Sequence, residues 1–347
     1  MKKNILLPLI SFLLFTVIIF NGCKKDSDPP PGIEEENLPG IMMTLSAISY
    51  VAEDTLYSII KDSINHFLSV KSLATGGDWQ LDWGPIITAD NRNLIFVAKN
   101  TTTESPAYAI AIRGTNINSI GDILEDLIVV PLVQFPYGMA GDSVAKGPMD
   151  GFTLILEAKD SQSNTTLEEY LESVVSSEKI PLYITGHSQG GGLAPLFAYW
   201  LITNETLKDK FVFSTLAFAG PGWFNKNFRD NFLNTLPVDA SFKMYVNSLD
   251  MIPYGYSNLP GIISGNIPVF VPLKYQMAIS LADGLISVAG IKYYNLAVAD
   301  SIGYFPITSS TPGGILPSNE KEWYIYWLKV EHNHNNYLRL LGVEPVK

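Results

Sequence analysis

Ser188 stands in Gly186-His187-Ser188-Gln189-Gly190, between the apolar run PLYIT and the helix-forming stretch GGLAPLFAYWL. A serine on a sharp strand-to-helix turn holds a strained backbone conformation, and the turn closes only with small residues two positions away on each side. Gly186 and Gly190 supply them. The helix behind the serine aims its first amide groups at the reacting centre, where negative charge develops as a hydroxyl attacks a carbonyl. The motif is short, and the strand before it and the helix after it give it weight. Acyl transfer through Ser188 is the chemistry expected, against the plain alternative of a glycine-rich turn with a solvated serine.

An attacking serine needs a histidine to take its proton and a carboxylate to hold that histidine in one tautomer. Four histidines are available. His66 lies upstream in a helical pattern, and His187 adjoins the nucleophile with its ring directed elsewhere. His332 and His334, both in EHNHNNYLRLL, remain as alternatives. Asp250 follows the strand-like SFKMYVNS and precedes Met251-Ile252-Pro253, which puts a carboxylate in a loop at a strand's end, the edge where parallel sheets bind ligands. Asp239 and Asp300 are weaker rivals. The pair His332 and His334 has no third His or Cys nearby, so no metal site is expected, and the chemistry requires no cofactor.

The elements that must position these groups can be read from periodicity. Helical spacing from Gly40 to about Val70 predicts two helices, and a long helix is expected from Phe152 to about Val175, broken or bent around Asp160 to Asn164. Strands are expected at 93–99, 107–113, 181–187, 211–218 and 242–247, with helices at 190–203 and 224–235. Strands alternating with helices imply a mostly parallel sheet with crossover helices. Residues 251–320 are rich in Gly, Pro and apolar side chains. Within them Tyr275 to Ile291 is a buried helix or part of a cover over the site.

Four blocks, in order, resemble the class 3, or fungal-lipase-like, lipases of the α/β-hydrolase fold: IRGT (112–115) with DILEDL (122–127), GHSQGG, AFAGPGWFNKNF (217–228) and VNSLDMIP (246–253). The resemblance spans roughly residues 90–340. It implies a Ser188, Asp250 and histidine triad acting through an acyl-enzyme, with Thr115 and Gln189 forming the oxyanion hole. The family's histidine stands three residues before an aromatic residue; His334 has Tyr337 at that spacing and His332 has Asn335, so the resemblance selects His334. It implies a carboxylic ester hydrolase acting on acylglycerols or similar lipids. Phospholipase A1 and feruloyl-type polysaccharide esterase are neighbouring specificities, and a non-catalytic surface-binding lipoprotein is a rival of another class. Two departures stand out: Ile123 replaces the family's usual tryptophan in the candidate lid Asn118 to Leu127, and the distance from Asp250 to His334 implies an insertion beside the site. Arg113 is expected to be a structural ion-pair partner, of Asp126.

The chain has 347 residues, 47% hydrophobic and 16% charged, with a formal charge of −11. No basic cluster stands out beyond the terminal lysine pairs, so nucleic acid is not an expected partner. Lys2-Lys3, the apolar stretch Ile5 to Phe20 and Asn21-Gly22-Cys23 resemble a bacterial lipoprotein signal, with residues 1–22 removed and Cys23 lipidated. That predicts a lipid-anchored protein of the bacterial cell envelope, facing outside the cytoplasm, with an uncleaved anchor as the alternative. Residues 23–39 read as a charged, proline-rich spacer, and 40–347 as the hydrolase domain. Cys23 is the only cysteine, so the body is stabilised by core packing rather than disulfides.

Overall fold

The computed structural model describes residues 37–88, 93–100, 102, 106–115, 131–174, 176, 178–264, 271–296, 304–307 and 330–347. The expected signal segment with Cys23, the candidate lid, Asp126 and the aromatic cluster Trp323, Tyr324, Tyr326 and Trp327 lie outside them.

Helices α1 (Leu38–Ile48) and α2 (Tyr57–Leu68) come first, then strands β1 (Trp79–Ile87), β2 (Leu94–Asn100) and β3 (Ala107–Ile112). A two-stranded ribbon of β4 (Leu132–Gln134) and β5 (Ser143–Ala145) leads into α3 (Lys146–Glu157) and α4 (Leu167–Ser173). The alternating part follows as β6 (Ile180–His187), α5 (Gln189–Thr203), β7 (Phe211–Phe218), α6 (Lys226–Thr235) and β8 (Ser241–Asn247). After a 3-10 turn at Ile252–Tyr254 come α7 (Leu259–Ile263), α8 (Leu273–Val288), β9 (Tyr304–Ile307) and α9 (His334–Leu340).

One seven-stranded sheet runs in the order β1-β2-β3-β6-β7-β8-β9. The β1–β2 and β2–β3 pairs are antiparallel, and every pair from β3 to β9 is parallel. Every residue of β6 is buried, as a central strand covered on both faces requires. Side-chain alternation divides the core in two. On β3, Tyr108, Ile110 and Ile112 face one apolar cluster with Leu193, Leu196 and Phe197 of α5. Ala107, Ala109 and Ala111 face the other, with Met42, Met43 and Leu45 of α1. Three alanines in register leave room for α1 to lie close against β3 and β6, where Ser46 Oγ meets Thr185 Oγ1 at 2.8 Å. The expected mostly parallel sheet of an α/β-hydrolase is present.

Where the reading differed, local chemistry explains it. The helix expected from 152 to 175 is interrupted around Asp160 to Asn164 as read, but its first part, α3, begins earlier, at Lys146; α4 begins at a capping box in which Thr166 Oγ1 accepts from Glu169 N–H and the Glu169 carboxylate accepts from Thr166 N–H. The spacer ends sooner than expected, because α1 starts at Leu38 with Pro39 in its first turn.

Candidate active site

Ser188 occupies the turn between β6 and α5 with φ 60° and ψ −127°, a conformation that costs a non-glycine residue about 1–3 kcal/mol. The flanking glycines are required by close approach. A Cβ on Gly186 would strike the backbone of Gly190, and one on Gly190 would strike the carbonyl of Ile112. Ser188 N–H donates to the Phe218 carbonyl of β7 at 3.0 Å, and its carbonyl accepts from Gly192 N–H at 3.1 Å. The strain is therefore held by the two neighbouring strands and the first turn of α5.

His332 and Asp250 meet this serine. Ser188 Oγ lies 2.8 Å from His332 Nε2, and His332 Nδ1 lies 2.7 Å from Asp250 Oδ2. All three side chains are buried. Asp250 Oδ2 also accepts from the Tyr337 hydroxyl at 2.7 Å, and Oδ1 from Ile252 N–H at 2.9 Å. With the carboxylate acting only as acceptor, Nδ1 of His332 donates and Nε2 faces Ser188 as the acceptor. Burial and the neighbouring Asp250 hold the Tyr337 phenol well above its ordinary range, so it remains a donor.

The choice of His334 is corrected by this geometry. His334 is the first residue of α9, and its ring stacks on Tyr50 with centroids 4.7 Å apart. His332 precedes the N-cap Asn333, so it sits in the loop that passes under Asp250. The aromatic landmark was the right one, since Tyr337 reaches Asp250, but the histidine beside Asp250 is five residues before it rather than three. The two extra residues carry the chain from the loop into the helix.

Thr115 and Gln189 meet through their side chains. Thr115 Oγ1 donates to Gln189 Oε1 at 2.5 Å, so the hydroxyl is engaged by a side chain. Gln189 is the first residue of α5, and a helix start leaves its early N–H groups without intrahelical partners. A helix start directly after Ser188 is an arrangement that can receive a developing oxyanion.

Sequence reasoning missed what ties Gly114, beside Thr115, to His187, beside Ser188. The Tyr50 hydroxyl, in the turn after α1, accepts from Gly114 N–H at 2.9 Å and contacts both the carbonyl and Nδ1 of His187 at 3.1 Å. It bridges the residue before Thr115 to the residue before Ser188. A lone tyrosine far upstream carries no local signal of such a role. Asn247, at the end of β8, braces the other side: its N–H donates to the Tyr337 hydroxyl at 3.1 Å, and its side-chain amide donates to the Glu331 carbonyl at 2.9 Å and carboxylate at 3.0 Å. Among the described residues, Glu53 places a carboxylate 3.8 Å from the fully buried Arg113. Burial pushes Glu53 up to about 7 despite that guanidinium.

Burial and the neighbouring His332 push the half-buried His334 down to about 4. An unfolded histidine takes its proton near pH 6.5. The unfolded chain therefore binds a proton that the folded chain refuses, and stability is lost as pH falls from about 6.5 to about 4. Glu53 has the opposite sign, losing stability as pH rises from about 4.5 to about 7. A His334→Phe variant keeps the ring on Tyr50 and leaves Glu53 unchanged, so the difference isolates the histidine. Between pH 7 and pH 4 the unmodified protein is expected to lose about 2 kcal/mol more unfolding free energy than the variant, after allowance for solvent at the ring edge. Parallel urea-unfolding curves at the two pH values would refute a neutral His334.

The sheet order, the crossover helices and the serine turn define an α/β-hydrolase. The Lipase (class 3) family model matches residues 109–257, from β3 through the nucleophile turn and past Asp250. The matched stretch is similar to that family and spans under half of the chain. Among solved structures, M37 lipase is 22% identical with a TM-score of 0.73, covering 89% of this chain and 93% of that chain. A mutant of MDLA from Penicillium cyclopium is 15% identical with a TM-score of 0.50, covering 83% and 85%. At these identities the likeness is one of fold. Comparison with curated proteins found no match.

Proposed function

We propose that this chain is a serine hydrolase of lipid carboxylic esters, with Ser188 as nucleophile, His332 as general base and then acid, and Asp250 as the group that orients and stabilises the imidazolium. The class 3 lipase match supports carboxylic ester hydrolase activity in general. The observation that carries the finer reading is the continuous relay of 2.8 Å and 2.7 Å contacts among three buried side chains distant in sequence, ending on a strained serine. Ser188 attacks the ester carbonyl as His332 Nε2 takes its proton; the oxyanion is received by the main-chain amides of Thr115 and Gln189, each worth about 3 kcal/mol. His332 returns the proton to the leaving alcohol, and water repeats the sequence on the acyl-enzyme. Acylglycerols are the substrates proposed. A lipid anchor on Cys23 would hold the enzyme at the cell envelope, outside the cytoplasm.

A fluorophosphonate probe is expected to form one adduct, at Ser188, and emulsified triacylglycerol to be turned over faster than phospholipid or a feruloylated sugar. Faster release from either of the last two would move the specificity to phospholipase A1 or polysaccharide esterase. No adduct and no turnover of any ester would leave a binding protein on a hydrolase fold.

A further inference from the structure

α8 is apolar on two sides. Its inner side, with Ile279, Ala282 and Ile286, is buried in the main core cluster. Its outer side carries Leu273, Met277, Leu281, Leu285 and Val288, each between 48% and 89% exposed. Steps of four, four, four and three residues align these side chains in one ridge, about 24 Å long for a helix of this length. A soluble surface rarely leaves five large apolar side chains contiguous without an occupant.

The charges around the ridge indicate which occupant. Between Val271 and Leu296 the only acidic residue is Asp283, which is half-buried, while the exposed lysines Lys274 and Lys292 flank the helix at its two ends. Apart from the half-buried Asp283 this stretch carries no charge along its middle, and it is basic at its ends, in a chain whose formal charge is −11. An apolar ridge between lysines suits the boundary between acyl chains and anionic headgroups. The helix is too short to span a bilayer, and none of the described helices is long and apolar enough to cross one. Its position joins this surface to the site: α8 packs on α7, which packs on the turn Ile252–Tyr254 directly after Asp250. The ridge thus belongs to the chain that leaves the same sheet edge as the triad.

We infer that the outer ridge of α8 is a lipid-docking surface, seating the protein in the interfacial plane of an anionic lipid surface. This rests on the reading of the protein as a lipid ester hydrolase. The ridge lies on a different stretch of the sequence from the segment expected to form the lid. It adds a fixed contact, present without any opening motion, that brings the triad edge to aggregated substrate.

The test uses the full chain with its single cysteine changed, Cys23→Ser, and one new cysteine carrying an environment-sensitive NBD dye. The dye is placed either at Leu281→Cys on the ridge or at Val238→Cys, an exposed site before β8 at the opposite sheet edge. With vesicles of phosphatidylcholine and phosphatidylglycerol, the dye at 281 is expected to shift to the blue and brighten, and the dye at 238 to stay unchanged. In parallel, the double variant Leu281→Glu and Leu285→Glu is expected to hydrolyse emulsified ester about tenfold more slowly, with p-nitrophenyl acetate hydrolysis unchanged. An unshifted dye at 281 would overturn the inference whatever the enzyme does, as would a dye already shielded without vesicles in a dimer that the double variant dissolves. A blue shift in a chain that hydrolyses no ester would uphold the docking surface and sink the catalytic reading instead.

Discussion

Replacing His332 with alanine is expected to lower kcat for a soluble ester by about 10⁵-fold, whereas the same change at His334 leaves kcat within about tenfold. Nothing else places an imidazole nitrogen at 2.8 Å from Ser188 Oγ. Without it the serine must lose its proton to water, and the rate falls toward what substrate binding and positioning alone supply. His334 contributes a stacked ring against Tyr50, so its loss disturbs the Tyr50 bridge but not the relay. Steady-state kinetics on both variants decides the point. A large loss at His334 and a small one at His332 would require the loop before α9 to rearrange in solution.

Asp250→Asn should be nearly as damaging, at about 10⁴-fold in kcat with KM little changed. An amide donates as readily as it accepts. Beside Tyr337 and Ile252 N–H, both of which donate to position 250, the asparagine can present its NH₂ group to His332 and turn the wrong nitrogen toward Ser188. Tyr337→Phe removes one of those donors and leaves the carboxylate, so its cost should be far smaller. The comparison is made at one fixed pH, reading kcat and KM separately. Equal losses in the two variants would mean that Asp250 acts through local packing rather than through the imidazole.

Much of the scaffold was legible because its signals are local. β7 at Phe211–Phe218 coincides with the expected strand, and β6 and α5 begin within a residue of theirs, since a continuous apolar run and a glycine-flanked turn mark them without reference to the rest of the chain. Asp250 was found for the same reason, as the first acid past a strand. β1 was not anticipated: Trp79–Ile87 mixes exposed and buried positions irregularly and carries register shifts around Leu81, Trp83 and Ile86. The histidine was missed because two candidates two residues apart differ only in whether each falls before or after a helix N-cap. Asn333 fixes that boundary, and its capping bond to Asn335 N–H is a detail that a spacing rule does not contain. Tyr50 and Asn247 were invisible because their roles depend on contacts made across 64 to 137 and 84 to 90 positions respectively.

The Tyr50 bridge has a consequence for how activity emerges during folding. Its bonds to Gly114 and His187, like the relay from Ser188 to His332, join stretches that are remote along the chain. Each such closure must overcome a large loss of chain freedom, and the site is complete only when all of them are made. Turnover in a refolding sample thus reports the final docking of α1 and of the loop before α9. A chain that has regained its ellipticity can still be chemically silent, which shields surrounding esters from a half-made enzyme.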